Sequence, residues 1–266
     1  MLNKSLIAKN IILITKSSQL KNKISIKKTI ALVSGANRGI GKAITEELLN
    51  NGAVKVYAGG RKPESLAGLK EQYGDRLIPV QLDVTSETSI RAVVQEASDV
   101  NVLINNAGVL ITGNYKAENM LETMLQNFEV NVLGVARLTQ AFLPIIEKND
   151  NAAIATVSSV VGLGNMPVAN GYSASKAAVH SMIQGLRGEL SDSPVLVVGI
   201  YPGPIDTDMT KDFEGVPKDT PELLAKNVVE QLAKGEEDIF PDSMSAQVKQ
   251  AYFASPKEVE KQFAGF

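Results

Sequence analysis

From Thr29 onward short apolar runs alternate with longer amphipathic stretches, and few architectures can satisfy that pattern. Runs of strand length fall at residues 30–33, 54–58, 77–82, 100–104, 153–157 and 195–201. Between them, residues 40–50, 64–73, 86–97, 117–147, 172–190 and 221–234 repeat apolar positions at helical spacing. A strand that is apolar along its whole length has no face for water, so helices must cover the sheet on both sides. The expected fold class is therefore α/β: a doubly wound (Rossmann) parallel sheet in a single domain. Asp238-Ile239-Phe240 supplies a seventh strand near the end of the chain. No repeat, low-complexity tract or linker interrupts the pattern, and 266 residues suffice for one large core.

Composition removes several function classes. The chain has no cysteine, which excludes disulfides, thiolate metal sites and a cysteine nucleophile, and fits a reducing, cytoplasmic setting. His180 is the single histidine, so multi-histidine metal sites are impossible and no metal is expected. A formal charge of −2 gives no reason to expect nucleic acid or a membrane as partner. Residues 1–28 differ from the rest: they hold seven lysines and no acid. They read as a basic N-terminal extension, expected to be disordered, ahead of a domain over 29–266. The apolar run 11–14 is too short for a membrane span. Organelle targeting stays open, although the absence of arginine from this leader speaks against it.

The first strand runs into Ser34-Gly35-Ala36-Asn37-Arg38-Gly39-Ile40-Gly41, where a helix begins. Three glycines in seven residues let the backbone turn tightly and bring its amides to a pyrophosphate at the helix N-terminus. The second strand ends Ala58-Gly59-Gly60-Arg61, so the carboxylate that would bind the ribose 2′-hydroxyl of NAD is missing. Arg38 and Arg61 together offer two guanidinium groups to a 2′-phosphate, with no acid beside them in the sequence. NADP(H) is thus expected over NAD(H).

Tyr172 and Lys176 lie four residues apart in Tyr172-Ser173-Ala174-Ser175-Lys176, on one face of a helix. A cation one turn from a phenol favours phenolate, so a lowered tyrosine pKa is expected and with it proton transfer near neutral pH.

With these motifs in order, the chain resembles a short-chain dehydrogenase/reductase of the compact subfamily of about 250 residues. The resemblance covers about residues 29–241, and Ser34 stands where threonine is usual. It implies that Asp83 and Val84, in Leu82-Asp83-Val84, contact the adenine. Asn105, Ala107 and Gly108, in Asn105-Asn106-Ala107-Gly108, would line the cofactor, and Pro202, Gly203, Ile205 and Thr207 would hold the nicotinamide end. A catalytic set of Asn131, Ser159, Tyr172 and Lys176 follows, with Ser159 thirteen residues before Tyr172. In the implied mechanism Ser159 orients the substrate oxygen and Tyr172 acts as general acid or base. Lys176 tunes Tyr172 and binds the nicotinamide ribose, and Asn131 holds a water that relays protons to Lys176.

The resemblance further implies an aldehyde or ketone substrate (or the alcohol, in reverse) in the manner of a carbonyl reductase. Leu110, Met166, Pro167, Val168 and Met209 are candidate wall residues and mostly apolar, which favours an apolar carbonyl compound. A lid is expected near 207–220, and a homodimer or homotetramer through the helices carrying Asn131 and Tyr172. The alternative is a non-catalytic NADP-binding sensor, whose mark would be loss of the tyrosine or lysine. An extended-type nucleotide-sugar enzyme would need a second substrate region that this length does not provide. The aromatic tail, with Tyr252, Phe253, Phe263 and Phe266, is compatible with closing the pocket, meeting a partner subunit or packing on its own domain.

Overall fold

The computed structural model describes residues 23–266. Seven parallel strands form one sheet in the order β3-β2-β1-β4-β5-β6-β7. They are β1 (Ile30–Ser34), β2 (Lys55–Gly60), β3 (Leu77–Gln81), β4 (Val102–Asn105), β5 (Ala153–Val157), β6 (Leu196–Ile200) and β7 (Asp238–Ile239). The helices are α1 (Gly39–Asn50), α2 (Ala67–Tyr73), α3 (Glu87–Glu96), α4 (Met120–Phe128), α5 (Gly134–Ile146), α6 (Asn170–Glu189), α7 (Pro221–Lys234), α8 (Ser243–Ala254) and α9 (Pro256–Ala264). A five-residue π-helical turn, Glu129–Leu133, joins α4 to α5.

Strand pleating divides the core. Ala31, Val33, Ile104, Ala155 and Val198 face α1 and α7, where Ile44, Leu48, Leu224 and Val228 cover them. Their neighbours Leu32, Leu103, Ile154 and Val197 face the other way, under Leu138 and Phe142 of α5 and Val179 and Ile183 of α6. Both faces are apolar because both are covered, as the continuous strand runs require. Met120–Ile146 is long and apolar enough, by length and composition, to cross a membrane. It packs Leu138, Phe142 and Ile146 into the core and leaves Leu121 and Leu125 exposed.

The chain order reverses between β1 and β4, which pair in register at Ala31↔Val102, Leu32↔Leu103 and Val33↔Ile104. Loops leaving these two strands diverge to opposite sides and open a crevice at their carboxyl ends. The packed domain also begins earlier than the composition suggested. Ile24 and Ile26, assigned to the basic extension, are buried in the core. Ser25 N donates to Asn151 Oδ1 at 2.8 Å, and Asn101 Nδ2 donates to Lys28 O at 2.8 Å. Apolar content at two positions outweighs the lysines around them, whose ammonium groups stay in water. The remainder of the extension, residues 1–22, lies outside the described residues.

Candidate functional site

A cleft of about 1850 Å³ opens where the strand order reverses, and it runs from the glycine loop to the C-terminal helices. Gly35 (φ +68) makes the turn out of β1 in a left-handed conformation. Gly41 answers a different need: a Cβ there would stand 2.2 Å from Gly35 O and 2.4 Å from Asn106 Nδ2. Arg38, at the N-cap of α1, makes no side-chain cap, and among the described residues no side chain takes the first amides of the helix. Open amides at a helix start beside a tight glycine turn suit a phosphate, and the loop therefore fits a dinucleotide.

The loop is braced from β4. Ser34 Oγ accepts from Asn106 N and Ala107 N, each at 3.0 Å, and Asn106 Nδ2 donates to Ser34 O and Gly35 O at 2.9 and 3.1 Å. Asn105, expected to line the cofactor, does not line the cleft. Successive strand residues point to opposite faces, so Asn105 turns toward α5 and donates to Thr139 Oγ1 at 2.9 Å and Thr156 Oγ1 at 3.3 Å. Its Oδ1 is buried without a hydrogen-bond partner among the described residues. Asn106 takes the cleft position, a role the strand alternation could have flagged.

Gly35, Asn37, Arg38, Gly39, Ile40, Gly41, Arg61, Asp83, Val84, Ala107, Gly108, Pro202, Gly203, Ile205 and Thr207 all line the cleft. The two arginines are not free of acids. Arg38 Nη1 lies 3.2 Å from Asp208 Oδ2 in an exposed ion pair that bridges the cleft mouth. Asp83 Oδ1 accepts from Thr85 Oγ1 and Thr85 N, at 2.7 and 2.9 Å. Those bonds, with the nearby Arg61 charge, hold its carboxyl below the usual range.

At the far end Ser159, Tyr172 and Lys176 meet on the cleft floor. Ser159 follows β5, and its Oγ donates to Pro202 O at 3.2 Å. Lys176 Nζ is buried, donates to Val157 O at 2.8 Å and lies 5.7 Å from the centroid of the Tyr172 ring. The expected acidification of Tyr172 by this lysine is not what the geometry produces. Burial raises the phenol to about 12, opposed by the hydrogen bond with Ser159. Burial likewise lowers Lys176 to about 8. The ammonium serves a backbone carbonyl and the ring face, so desolvation outweighs its attraction for phenolate.

Asn131 is fully buried in the π-helical turn and does not line the cleft. Its Oδ1 accepts from Val109 N at 2.9 Å, and its Nδ2 donates to Val109 O at 2.9 Å and Ser175 Oγ at 3.0 Å. It clamps the backbone beside Gly108 and the residue beside Lys176, which gives it a positioning task for both. Among the candidate wall residues, Leu110, Met166, Val168 and Met209 line the cleft and Pro167 does not. Phe213 and Met244 line it as well and were not singled out from the sequence; Phe263 of the aromatic tail joins them. His180 stands apart, with Nδ1 at 2.8 Å from the Tyr201 hydroxyl, so it makes no pair with Ser159.

Known proteins share this fold. Residues 29–216 match the short chain dehydrogenase family. The crystal structure of a short chain dehydrogenase from Burkholderia cenocepacia in complex with NADP is 33% identical, with a TM-score of 0.83 over 90% of this chain and 99% of that one. A 3-ketoacyl-(acyl-carrier-protein) reductase from Brucella melitensis complexed with NADH is 26% identical, with a TM-score of 0.71 over 78% of this chain and 92% of that one. A 3-oxoacyl-[acyl-carrier-protein] reductase of Vibrio cholerae is 35% identical over 198 residues, 71% of this chain and 78% of that protein.

Proposed function

This chain belongs to the short chain dehydrogenase family of oxidoreductases, and we propose that it reduces an apolar aldehyde or ketone with NADPH, or runs the reverse reaction. One observation carries the reading: Ser159, Tyr172 and Lys176 converge at one end of a cleft whose other end is a glycine loop shaped for pyrophosphate. Arg38 and Arg61 at the loop end support NADPH, since a dianionic phosphate outcompetes a single exposed carboxylate for a guanidinium.

The dinucleotide, when bound, exchanges a hydride with the carbonyl carbon. Tyr172, a phenol and so protonated at neutral pH, would give its proton to the carbonyl oxygen, which together with the hydride from the cofactor leaves an alcohol. Ser159 turns its hydroxyl from Pro202 O to the same oxygen and steadies the charge growing there. Lys176 holds its place through Val157 O and presents its remaining donors to the cofactor ribose. Asn131 fixes the backbone around both groups. Leu110, Met166, Val168 and Met209 exclude water and favour an apolar substituent.

The reading is tested by NADPH oxidation against aldehydes, ketones and quinones. Turnover that disappears in Tyr172→Phe supports it; NADPH binding with no turnover in any case would favour the sensor. Exposed Leu121 and Leu125 on α4, beside α6, suit a homodimer or homotetramer. A single-chain mass in sizing chromatography would remove that part.

A further inference from the structure

The C-terminal helical pair α8–α9 begins beyond residue 216, where the match to the family ends. Two kinds of attachment, polar and apolar, fix it over the catalytic end of the cleft. Asp242, buried at the N-cap of α8, accepts from Ser245 N through Oδ1 and from Gly203 N through Oδ2, each at 2.8 Å. One carboxylate thus caps the helix and grips the loop after β6. The second attachment is apolar: Val248, Val259, Phe263 and Tyr252 pack on Val160, Val161 and Leu163, the segment that follows Ser159. Gly164 makes this approach possible, since a Cβ there would lie 2.6 Å from Phe263 Cδ2 and 2.9 Å from Val259 Cγ1. Phe263 and Met244 then reach the cleft lining, while Phe253 and Phe266 stay exposed.

We infer that Phe263 is a specificity-determining residue: with Met244 it forms an apolar wall, braced by Gly164 and Asp242, that selects carbonyl substrates carrying an aryl substituent. The inference rests on the oxidoreductase reading above and extends it to the substrate class. A ring seated against Gly164 offers a flat surface that an aryl group matches by stacking or edge contact, and the Met244 thioether on the same lining adds sulfur–aromatic contact. A short aliphatic carbonyl leaves most of that surface uncovered. The wall acts on substrate binding, and its residues are not those assigned to proton transfer or to the glycine loop.

The test compares kcat/KM for benzaldehyde and for propanal with saturating NADPH in wild type, Phe263→Ala, Phe263→Leu, Gly164→Ala and Phe253→Ala. The expected result is an aryl-to-aliphatic ratio that falls at least about tenfold in Phe263→Ala, less in Phe263→Leu, and stays put in Phe253→Ala. Gly164→Ala should move the ratio the same way by pushing the ring off its seat. A ratio within about twofold of wild type in both Phe263 variants overturns the inference, as does an equal shift in Phe253→Ala. If wild type turns over neither substrate nor any other carbonyl, the functional reading fails separately. Saturation-transfer NMR of benzyl alcohol on the NADP-loaded protein then decides the wall. A transfer signal from the aryl protons that vanishes in Phe263→Ala and Phe263→Leu supports it, and a signal as strong as in wild type overturns it.

Discussion

At the glycine turn itself the cleft wall is main chain, while at the catalytic end it is side chains gathered from distant segments. Gly35, Gly41, Asn106 and Ala107 pack so closely that a single methyl group at Gly41 would overlap Gly35 O. Met166, Val168, Met209, Met244 and Phe263 arrive from four separate stretches, and Val168 and Met209 are substantially exposed. A backbone wall recognises what every dinucleotide shares and tolerates little change. A wall of apolar side chains sets the shape of a variable substrate and yields to substitution gradually.

The largest test of that contrast is the proton donor between the two walls. Tyr172→Phe should lower kcat/KM about a thousandfold and leave NADPH affinity nearly intact, as stopped-flow and fluorescence titration would read. An unchanged kcat would break the assignment. Gly41→Val comes next: backbone cannot yield as a flexible side chain can, so NADPH affinity should fall at least tenfold, with about 1–3 kcal/mol lost from stability. A mild effect by titration and thermal melting would show that the loop is softer than the contrast requires.

The cofactor preference sharpens the same contrast at its charged edge. NADPH should exceed NADH at least tenfold in kcat/KM, about 1.4 kcal/mol, and the double change Arg38→Ala with Arg61→Ala should erase it. Asp208→Asn, which releases Arg38, should alter the NADPH KM by no more than about threefold, because an exposed ion pair is weak. The smallest effect concerns pH. Burial depresses Lys176 to about 8 from 10.5. Between these values the folded chain binds fewer protons than the unfolded one, so this group makes stability rise with pH across that window. Lys176→Met should flatten the rise in denaturant titrations from pH 8 to 10, and an unaltered slope would mean that the ammonium is better solvated than its setting implies.

The strands and helices were legible because each depends on periodicity within a few residues, and the seven-stranded sheet follows from apolar runs that demand two covers. The glycine loop and the Tyr172–Lys176 pair were legible for the same reason, since each is one turn of chain. Residues acting through a distant partner were harder to read. Asn105 and Asn106 are adjacent, and only the direction of the β4 pleat assigns one to Thr139 and the other to the glycine loop. Arg38 has no acid nearby in sequence, yet it meets Asp208, 170 positions away.

Spacing alone determined that this chain would build a two-sided parallel sheet, a phosphate-ready turn and a phenol one turn from an amine. Tertiary structure decided how those groups behave. Desolvation depends on what distant segments pile onto a side chain, and here it raises Tyr172 and lowers Lys176. The fold also brings Phe263 from the end of the chain onto the cleft, because only a folded chain can set an aromatic ring against a glycine ninety-nine residues earlier.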